Sequence, residues 1–138
     1  MKDTILAIAG RPGLFRLVAR GNRNLIVESI DESRKRFAVG ERDRVTSLND
    51  VAMFTEEEDV QLLQVFQNLS NHYAGKPADL YHKSATEEEL QTFMEKALPN
   101  YDRDRVRSSD MRKLLQWYNV LAANGITNFQ GEEEAAGQ

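Results

Sequence analysis

The spacing of hydrophobic residues changes its period near residue 55. Before that point, short segments rich in β-branched residues alternate apolar and polar positions and are separated by turn residues, which is typical of strands. These segments cover residues 13–20, 24–30, 35–39 and 45–50, the last as a short strand plus a helical turn. Residues 1–9 fit either a first strand or a short helix closed by Gly10. Four or five short strands within about 45 residues predict a small curled β-barrel.

After residue 55 the apolar residues recur at the 3.6-residue spacing of amphipathic helices. The first stripe consists of Leu62, Val65, Phe66, Leu69 and Tyr73. The second consists of Leu90, Phe93, Met94, Ala97 and Leu98. The third consists of Met111, Leu114, Leu115, Trp117, Tyr118, Leu121 and Ala122, an arc wide enough for a buried helix. The sequence therefore predicts three helices.

The ends of these helices carry recognisable signals. Thr-Glu-Glu-Glu occurs at residues 55–58 and again at 86–89, and each copy predicts a capping box in which the threonine hydroxyl accepts a backbone N–H three residues later. Pro99 is expected to end the second helix. Ser109 is the predicted N-cap of the third helix, which Asn124-Gly125 closes.

The predicted fold class is α+β, with three consecutive parts. Residues 1–54 form the small β-barrel, and residues 55–128 form the three-helix domain. Residues 129–138 contain Glu132-Glu133-Glu134 and little that could be buried, so we expect a disordered acidic tail.

Composition narrows the possible functions. Among the 138 residues, 41% are hydrophobic and 29% charged, which is normal for a globular protein with a packed core. The chain has no cysteine, which excludes disulfides, thiolate metal sites and a cysteine nucleophile, and fits a reducing compartment. No stretch approaches the roughly 20 apolar residues of a membrane span. We therefore expect a soluble, cytoplasmic protein that does not associate with membranes.

The formal charge is unevenly distributed along the chain. Residues 1–54 hold ten Lys and Arg against seven Asp and Glu, a net charge of +3. Residues 55–138 hold eight against fifteen, a net charge of −7. Two halves of opposite sign predict two surfaces that face different partners, or halves that attract each other.

Several short motifs, taken together, are similar to a known family. They are Gly10-Arg11-Pro12-Gly13-Leu14-Phe15, Ile26-Val27-Glu28-Ser29, Phe54-Thr55-Glu56-Glu57, Leu98-Pro99-Asn100-Tyr101-Asp102 with Arg105-Val106, Ser109-Asp110 and Trp117-Tyr118. Over residues 4–122 the chain resembles a family of small uncharacterised bacterial proteins, grouped as a domain of unknown function. The resemblance implies an SH3-like barrel followed by a helical region, and a cytoplasmic bacterial setting. It implies no activity.

Residues 102–107 alternate acidic and basic side chains and form the most conspicuous candidate site. Asp102-x-Asp104 is how a calcium-binding loop begins, but position six of that loop would be Arg107 instead of glycine, and position twelve would be Lys113 instead of glutamate. We interpret the segment as a structural connector with Tyr101 and Val106 packed inward. Its alternative role is recognition of a carboxylate or phosphate.

Three arginines and a tryptophan would carry that recognition: Arg103, Arg105, Arg107 and Trp117. A second candidate surface is the basic rim of the predicted barrel. Its residues are Arg11, Arg16, Arg34, Lys35 and Arg36, with Arg20, Arg23, Arg42 and Arg44 nearby. Binding of single-stranded nucleic acid there would need aromatic platforms. Phe15 and Phe37 are the aromatic residues available, and we expect both to fill the barrel.

Catalytic chemistry has little support in the sequence. His72 and His82 are the only histidines, and no nucleophile-elbow, P-loop or dinucleotide-binding motif occurs. We therefore predict no enzyme activity, no catalytic residue, no metal and no cofactor. The leading hypothesis is an interaction module that binds a protein or peptide. The alternatives are a nucleic-acid-binding accessory protein that uses the basic rim, and a homodimer.

Overall fold

The computed structural model describes residues 4–11, 13–40, 42–127 and 129, and its first five strands form one sheet. The strands are β1 (Ile5–Ile8), β2 (Phe15–Arg20), β3 (Asn24–Ser29), β4 (Arg36–Gly40) and β5 (Val45–Ser47). Their order is β4-β3-β2-β1-β5, and every neighbouring pair is antiparallel. The segment 1–9, for which strand and helix were both open, therefore contains a strand.

The sheet is not closed, so the predicted SH3-like barrel is not supported. Within the described residues, β4 pairs with β3 and β5 pairs with β1, and these two edge strands do not pair with each other. β5 is three residues long, and all three pair with β1. Closure would require β4 to pair with the free edge of this short strand. The fold is a mixed α+β structure with an open five-stranded antiparallel sheet and three helices.

Alternate residues of the sheet enter two different apolar clusters. On one face, Leu6, Ile8, Phe15, Val27 and Val39 form a buried cluster built from the strands alone. Ile5, which neighbours Leu6 in β1, points to the opposite face and is buried in the core that contains the helices. The sheet is thus apolar on both sides near β1, with the helices covering one of them.

A two-stranded ribbon connects the sheet to the helices. After a 3₁₀ turn at Leu48–Asp50, β6 (Ala52–Met53) pairs antiparallel with β7 (Val60–Gln61). The first helix begins directly after β7.

The predicted capping box at Thr55 is wrong. Thr55 lies opposite Tyr101 in an isolated β-bridge, and the first helix begins only at Leu62. The Thr55 hydroxyl donates to the carbonyl of Glu58 and accepts the N–H of Glu57 at 3.0 Å, which closes a turn. Pairing with a distant segment fixes Thr55 in an extended conformation, and its hydroxyl serves the turn instead of a helix.

Three helices follow: α1 (Leu62–Tyr73), α2 (Glu87–Ala97) and α3 (Ser108–Ala123). The predicted stripes are confirmed as the faces that pack together. The fully or nearly fully buried members are Leu62, Val65, Phe66, Leu69, Leu90, Phe93, Met94, Ala97, Leu98, Met111, Leu114, Leu115, Tyr118, Leu121 and Ala122. Tyr73 and Trp117 are half-buried at the border of this core.

The sequence signals at the ends of α2 and α3 are confirmed except at the N-terminus of α3. The capping box at Thr86 is confirmed: Thr86 Oγ1 accepts the Glu89 N–H at 3.1 Å, and Glu89 Oε1 accepts the Thr86 N–H at 2.8 Å. The N-cap of α3 is Arg107 instead of the predicted Ser109, because Asp110 Oδ2 accepts the Arg107 N–H at 3.0 Å. Gly125, with φ +78°, follows the end of α3 as predicted.

One core spans the sheet and the helices. Buried residues from β1, from the 3₁₀ turn and from all three helices belong to the same cluster. Residues on both sides of the predicted boundary at residue 54 therefore pack in the same core. The division into two separate domains stays a prediction. Phe129, which the sequence assigned to the tail, is 2% exposed and packs on Phe66 with ring centroids 5.5 Å apart. Residues 130–138 lie outside the described residues.

In the part of the chain that the structure describes, no helix has the length and apolar character needed to cross a membrane.

Candidate functional site

An apolar groove lies between β6 and α3. Its floor consists of nearly fully buried side chains from four segments: Met53, Leu62, Val106 and Leu114. Val51 and Ala52 also line it, and we call the remaining lining residues, Phe54, Asp110, Lys113 and Trp117, its rim. We call this feature the Phe54–Trp117 groove. Its volume is about 230 Å³.

Two aromatic side chains make the rim of the groove unusual. Phe54 is 39% exposed, one of three large hydrophobic side chains with this degree of exposure among the described residues. Trp117, the single tryptophan of the chain, is half-buried and packs against the core. An exposed phenylalanine and a tryptophan that line one groove with an apolar floor form the kind of surface that binds apolar side chains of a partner.

The connector at residues 102–107 holds Phe54 in place. The Asp102 N–H donates to the Phe54 carbonyl at 2.9 Å. Arg105 Cζ lies 4.2 Å from the centre of the Phe54 ring, and Arg105 Nε donates to Asp102 Oδ2 at 2.9 Å. The predicted connector is confirmed in its packing, since Tyr101 is 3% and Val106 4% exposed.

The Asp102 carboxylate accepts three hydrogen bonds from within this connector. Its Oδ1 accepts the N–H of Asp104 at 2.9 Å and the N–H of Arg105 at 3.2 Å. The hydrogen bond from the Arg105 side chain, followed by the backbone bond from Asp104, lowers the pKa of Asp102 below its ordinary value. The carboxylate is therefore ionised and engaged within its own turn, where it orients Arg105 over Phe54.

The three arginines of the connector do not form one cluster. Arg105 covers Phe54 at the groove, whereas Arg103 and Arg107 line a separate polar hollow beside α2. Arg103 Nη2 lies 3.2 Å from Glu95 Oε2, and its Cζ lies 4.5 Å from the centre of the Tyr101 ring. Of the predicted group of three arginines and Trp117, Trp117 lines the groove, and Arg105 contacts a groove residue only through the Phe54 ring.

The basic residues of the sheet are largely engaged in contacts within the sheet. Glu28 accepts Arg36 Nε at 3.0 Å and lies 3.6 Å from Arg16 Nη1. Arg11 Cζ lies 4.4 Å from the centre of the Phe37 ring. Three of the five candidate cations of the rim therefore contact side chains of the sheet.

The remaining two cations, Arg34 and Lys35, are exposed in the turn between β3 and β4. Arg34 has a left-handed conformation with φ +47°. Asp31 Oδ1 stabilises the turn by accepting the N–H groups of Ser33 and Arg34 at 2.9 and 3.1 Å. Hydrogen bonds from side chains, that of Ser33 first, lower the pKa of Asp31. The turn is well held, and its two cations face solvent.

The two histidines lie outside the Phe54–Trp117 groove. His72 is exposed, with its ring edge-on to Tyr73. His82 is half-buried in the connector between α1 and α2, and burial, assisted by Lys83 and Arg112, lowers its pKa. Arg112 Nη1 donates to the His82 carbonyl at 2.7 Å, so this segment serves to anchor α3.

Sequence reasoning identified Trp117 and Arg105 but missed Phe54 and Lys113 as parts of the site. Phe54 carried a weak signal, since a large apolar residue stands directly before the polar run Thr55–Asp59. Lys113 falls on the polar side of the third predicted helix, where the sequence does not single it out as a binding residue. Its place on the groove follows from its position one helical turn before Trp117.

Comparison with known families and structures gives two domain families without an assigned function. Residues 51–121 match the model described as "Domain of unknown function (DUF6852)", and residues 3–48 match "Domain of unknown function (DUF5606)". Every residue that lines the Phe54–Trp117 groove falls within 51–121. No curated protein matches the chain.

The fold is shared with a solved structure. The chain is similar to a Bacteroides vulgatus protein determined by solution NMR, with 45% sequence identity and a TM-score of 0.76. The match covers 94% of this chain and 91% of that protein. The similarity therefore extends over both the sheet and the helices.

Proposed function

This chain belongs to the family described as a domain of unknown function (DUF6852), and we propose that it is a non-enzymatic interaction module that binds a short segment of a partner protein in the Phe54–Trp117 groove. The observation that carries the proposal is the exposed Phe54 ring, which together with Trp117 lines a groove with an apolar floor. Aromatic residues at the border of an apolar depression are characteristic of the residues that dominate binding energy at interfaces.

The size of the groove favours a peptide over a small-molecule cofactor. Its volume of about 230 Å³ is below the roughly 300–1,000 Å³ of most small-molecule sites. Space of this size suits one or two apolar side chains. The rim residues Asp110 and Lys113 are exposed and leave polar positions for the backbone or flanking residues of a bound segment.

The groove is also rigidly built, which favours binding without reorganisation. Phe54 is held by its backbone bond to Asp102 and by Arg105 stacked on its ring. The floor side chains belong to the core. Because little ordering is needed when a partner binds, more of the contact energy contributes to affinity.

A selection for binding peptides tests this function. Peptides from a random display library are selected on the full chain, and the strongest are titrated while Trp117 fluorescence is followed. Since Trp117 is the only tryptophan, its emission reports on the groove. Phe54→Ala is expected to weaken binding about tenfold or more, as truncation of a central interface aromatic does. Tyr81→Ala, which removes a 55% exposed aromatic ring outside the groove, is the matched control and should leave affinity unchanged.

Two results would overturn the proposal. One is a selection that enriches no peptide able to change Trp117 fluorescence. The other is a set of selected peptides that bind the wild type and Phe54→Ala with equal affinity, which would place their site elsewhere.

The alternative function is nucleic-acid binding at the basic rim, supported by the exposed Arg34 and Lys35. Fluorescence anisotropy of labelled RNA and DNA, from low to physiological salt, tests it directly. Binding at this rim requires an affinity that falls steeply with salt and is lost in the Arg34/Lys35/Arg36→Ala variant. An affinity that does not respond to salt would remove this alternative.

A further inference from the structure

At the Phe54–Trp117 groove, and within the described residues, Ala52 of β6 makes no backbone hydrogen bond on the edge away from β7. Leu62 N–H donates to the Val51 carbonyl at 2.8 Å, on the β7 side, and Asp102 N–H donates to the Phe54 carbonyl at 2.9 Å, on the other side. Backbone groups of successive strand residues alternate between the two edges. Ala52 therefore directs its N–H and carbonyl to the edge of β6 that faces away from β7, the edge on which Asp102 pairs with Phe54.

The segment that pairs with this edge of β6 turns away before it reaches the position opposite Ala52. The segment at residues 100–102 pairs with residues 54–56, through Asp102 N–H to the Phe54 carbonyl and through Glu56 N–H to the Asn100 carbonyl at 3.0 Å. It then turns at residues 103–105, where the Val106 N–H donates to the Asp102 carbonyl at 2.8 Å. Ala52 is exposed and lines the groove one pairing position beyond this turn. An added strand would continue the line of the 100–102 segment.

Charge at the rim distinguishes among peptide partners. The rim carries one acidic and one basic residue, Asp110 and Lys113, and Asp110 Oδ2 accepts the Arg107 N–H at 3.0 Å. Lys113, in contrast, makes no hydrogen bond or ion pair within the described residues. Its ammonium group is exposed one helical turn from Trp117. A carboxylate beside the bound apolar side chain would complement it.

We propose that the groove binds an extended peptide from a partner protein, whose backbone pairs with Ala52, whose apolar side chain enters between Phe54 and Trp117, and whose flanking acidic residue faces Lys113. This inference rests on the proposed peptide-binding function and adds the conformation and charge of the partner. Binding by addition of a strand supplies affinity through main-chain hydrogen bonds, and alternate side chains supply specificity.

The test uses three short synthetic peptides with the same central leucine, flanked by Glu, Gln or Lys, titrated against the full chain with Trp117 fluorescence as the readout. The Glu-flanked peptide should bind tightest, by about two- to fivefold over the Gln-flanked peptide, the range expected for one exposed ion pair. Lys113→Glu should reverse the order so that the Lys-flanked peptide binds best. Lys83→Glu, at an exposed lysine outside the groove, should keep the wild-type order. N-methylation of the peptide backbone at the central leucine should weaken binding.

The possible failures are distinguishable. If all three peptides bind in a Phe54-dependent manner with equal affinity, or if their order survives Lys113→Glu, the charge assignment is wrong while the peptide-binding function stands. If N-methylation at the central leucine has no effect on affinity, the strand pairing is wrong. If none of the three designed peptides binds while display-selected peptides do, this assignment is wrong and the peptide-binding function stands; if neither kind binds, the proposed function fails as well.

Two other occupants are outcomes of the same experiment. A peptide with the sequence of residues 130–138 serves as a fourth probe. If it alone competes for the groove and deletion of these residues from the chain changes Trp117 fluorescence, the occupant is the chain's own terminus. If light scattering shows a dimer that Lys113→Glu dissociates, the occupant is a second copy. Either result overturns the assignment to a separate partner.

Discussion

Truncation of Val27 in the middle of the sheet should destabilise helix α3 as much as the sheet itself. Val27 is fully buried in the cluster formed by strand residues alone, and it faces Leu17 and Phe37 on the neighbouring strands. If the shared core makes the sheet and the helices one cooperative unit, damage to this cluster lowers the stability of both parts. If residues 1–54 fold separately, only the sheet responds.

The magnitude follows from the atoms removed. Val27→Ala deletes two buried carbon atoms, which costs about 1.6 kcal/mol at roughly 0.8 kcal/mol each. A cavity that does not collapse adds about 1 kcal/mol. The free energy of unfolding should therefore fall by about 2–3 kcal/mol, which lowers the urea midpoint by about 1 M for a chain of this size.

Urea unfolding followed with two probes measures this effect. Trp117 fluorescence reports on α3, and backbone amide resonances of β3 report on the sheet. Both midpoints should fall together in Val27→Ala. Val18→Ala, at a valine that is 38% exposed, is the control and should change stability by less than about 0.5 kcal/mol. A Trp117 midpoint that stays in place while the β3 midpoint falls would refute a single cooperative unit.

Three further predictions follow from local geometry. Thr86→Ala should lower the free energy of unfolding by about 1 kcal/mol through loss of the helix cap, whereas Thr92→Ala on the exposed face of the same helix should not, as urea titration will show. Carboxyl-carbon NMR should find the pKa of Asp102 below 3.8 in the wild type and closer to that value in Arg105→Gln. The ionised Asp102 carboxylate therefore stabilises the fold above about pH 4, and this stabilisation is lost as the pH falls through the lowered pKa. Burial, followed by the neighbouring Tyr73, raises the pKa of Tyr118 to about 12. The free energy of unfolding should therefore decline as the pH rises from roughly 10 to about 12. Tyr118→Phe should flatten this decline in alkaline unfolding curves.

Local signals in the sequence predicted the helices well because their causes are local. The stripe of α1 and the capping box at Thr86 depend on residues within one or two turns. The identical sequence at residues 55–58 shows the limit of this reasoning. Thr55 lies opposite Tyr101, 46 positions later in the chain, and this pairing overrides the local preference for a helix start. Nothing in the four residues distinguishes the two outcomes.

That the sheet stays open instead of closing into a barrel could not be predicted, for a similar reason. The strand positions were found from alternation and turns, and β5 with its following 3₁₀ turn matches the predicted short strand plus helical turn. Whether β4 and β5 meet depends on pairing between separate strands and on curvature, and alternation contains no information on either.

The candidate site could be predicted only in part. Trp117 and Arg105 stood out by residue type, and the inward packing of Val106 was expected from its apolar character among charges. Phe54 joins them because the Asp102 N–H binds its carbonyl, a contact between segments about 50 positions apart in sequence. The groove therefore emerged only from the tertiary structure.

Amide chemical-shift mapping of the isotope-labelled chain with a display-selected peptide tests the central claim most directly. We predict that the shifts concentrate at residues 51–54 and 106–117, with the indole N–H of Trp117 among the largest. Shifts that concentrate in the turn at residues 31–36 and leave the groove unchanged would contradict the claim and move the binding site to the basic rim.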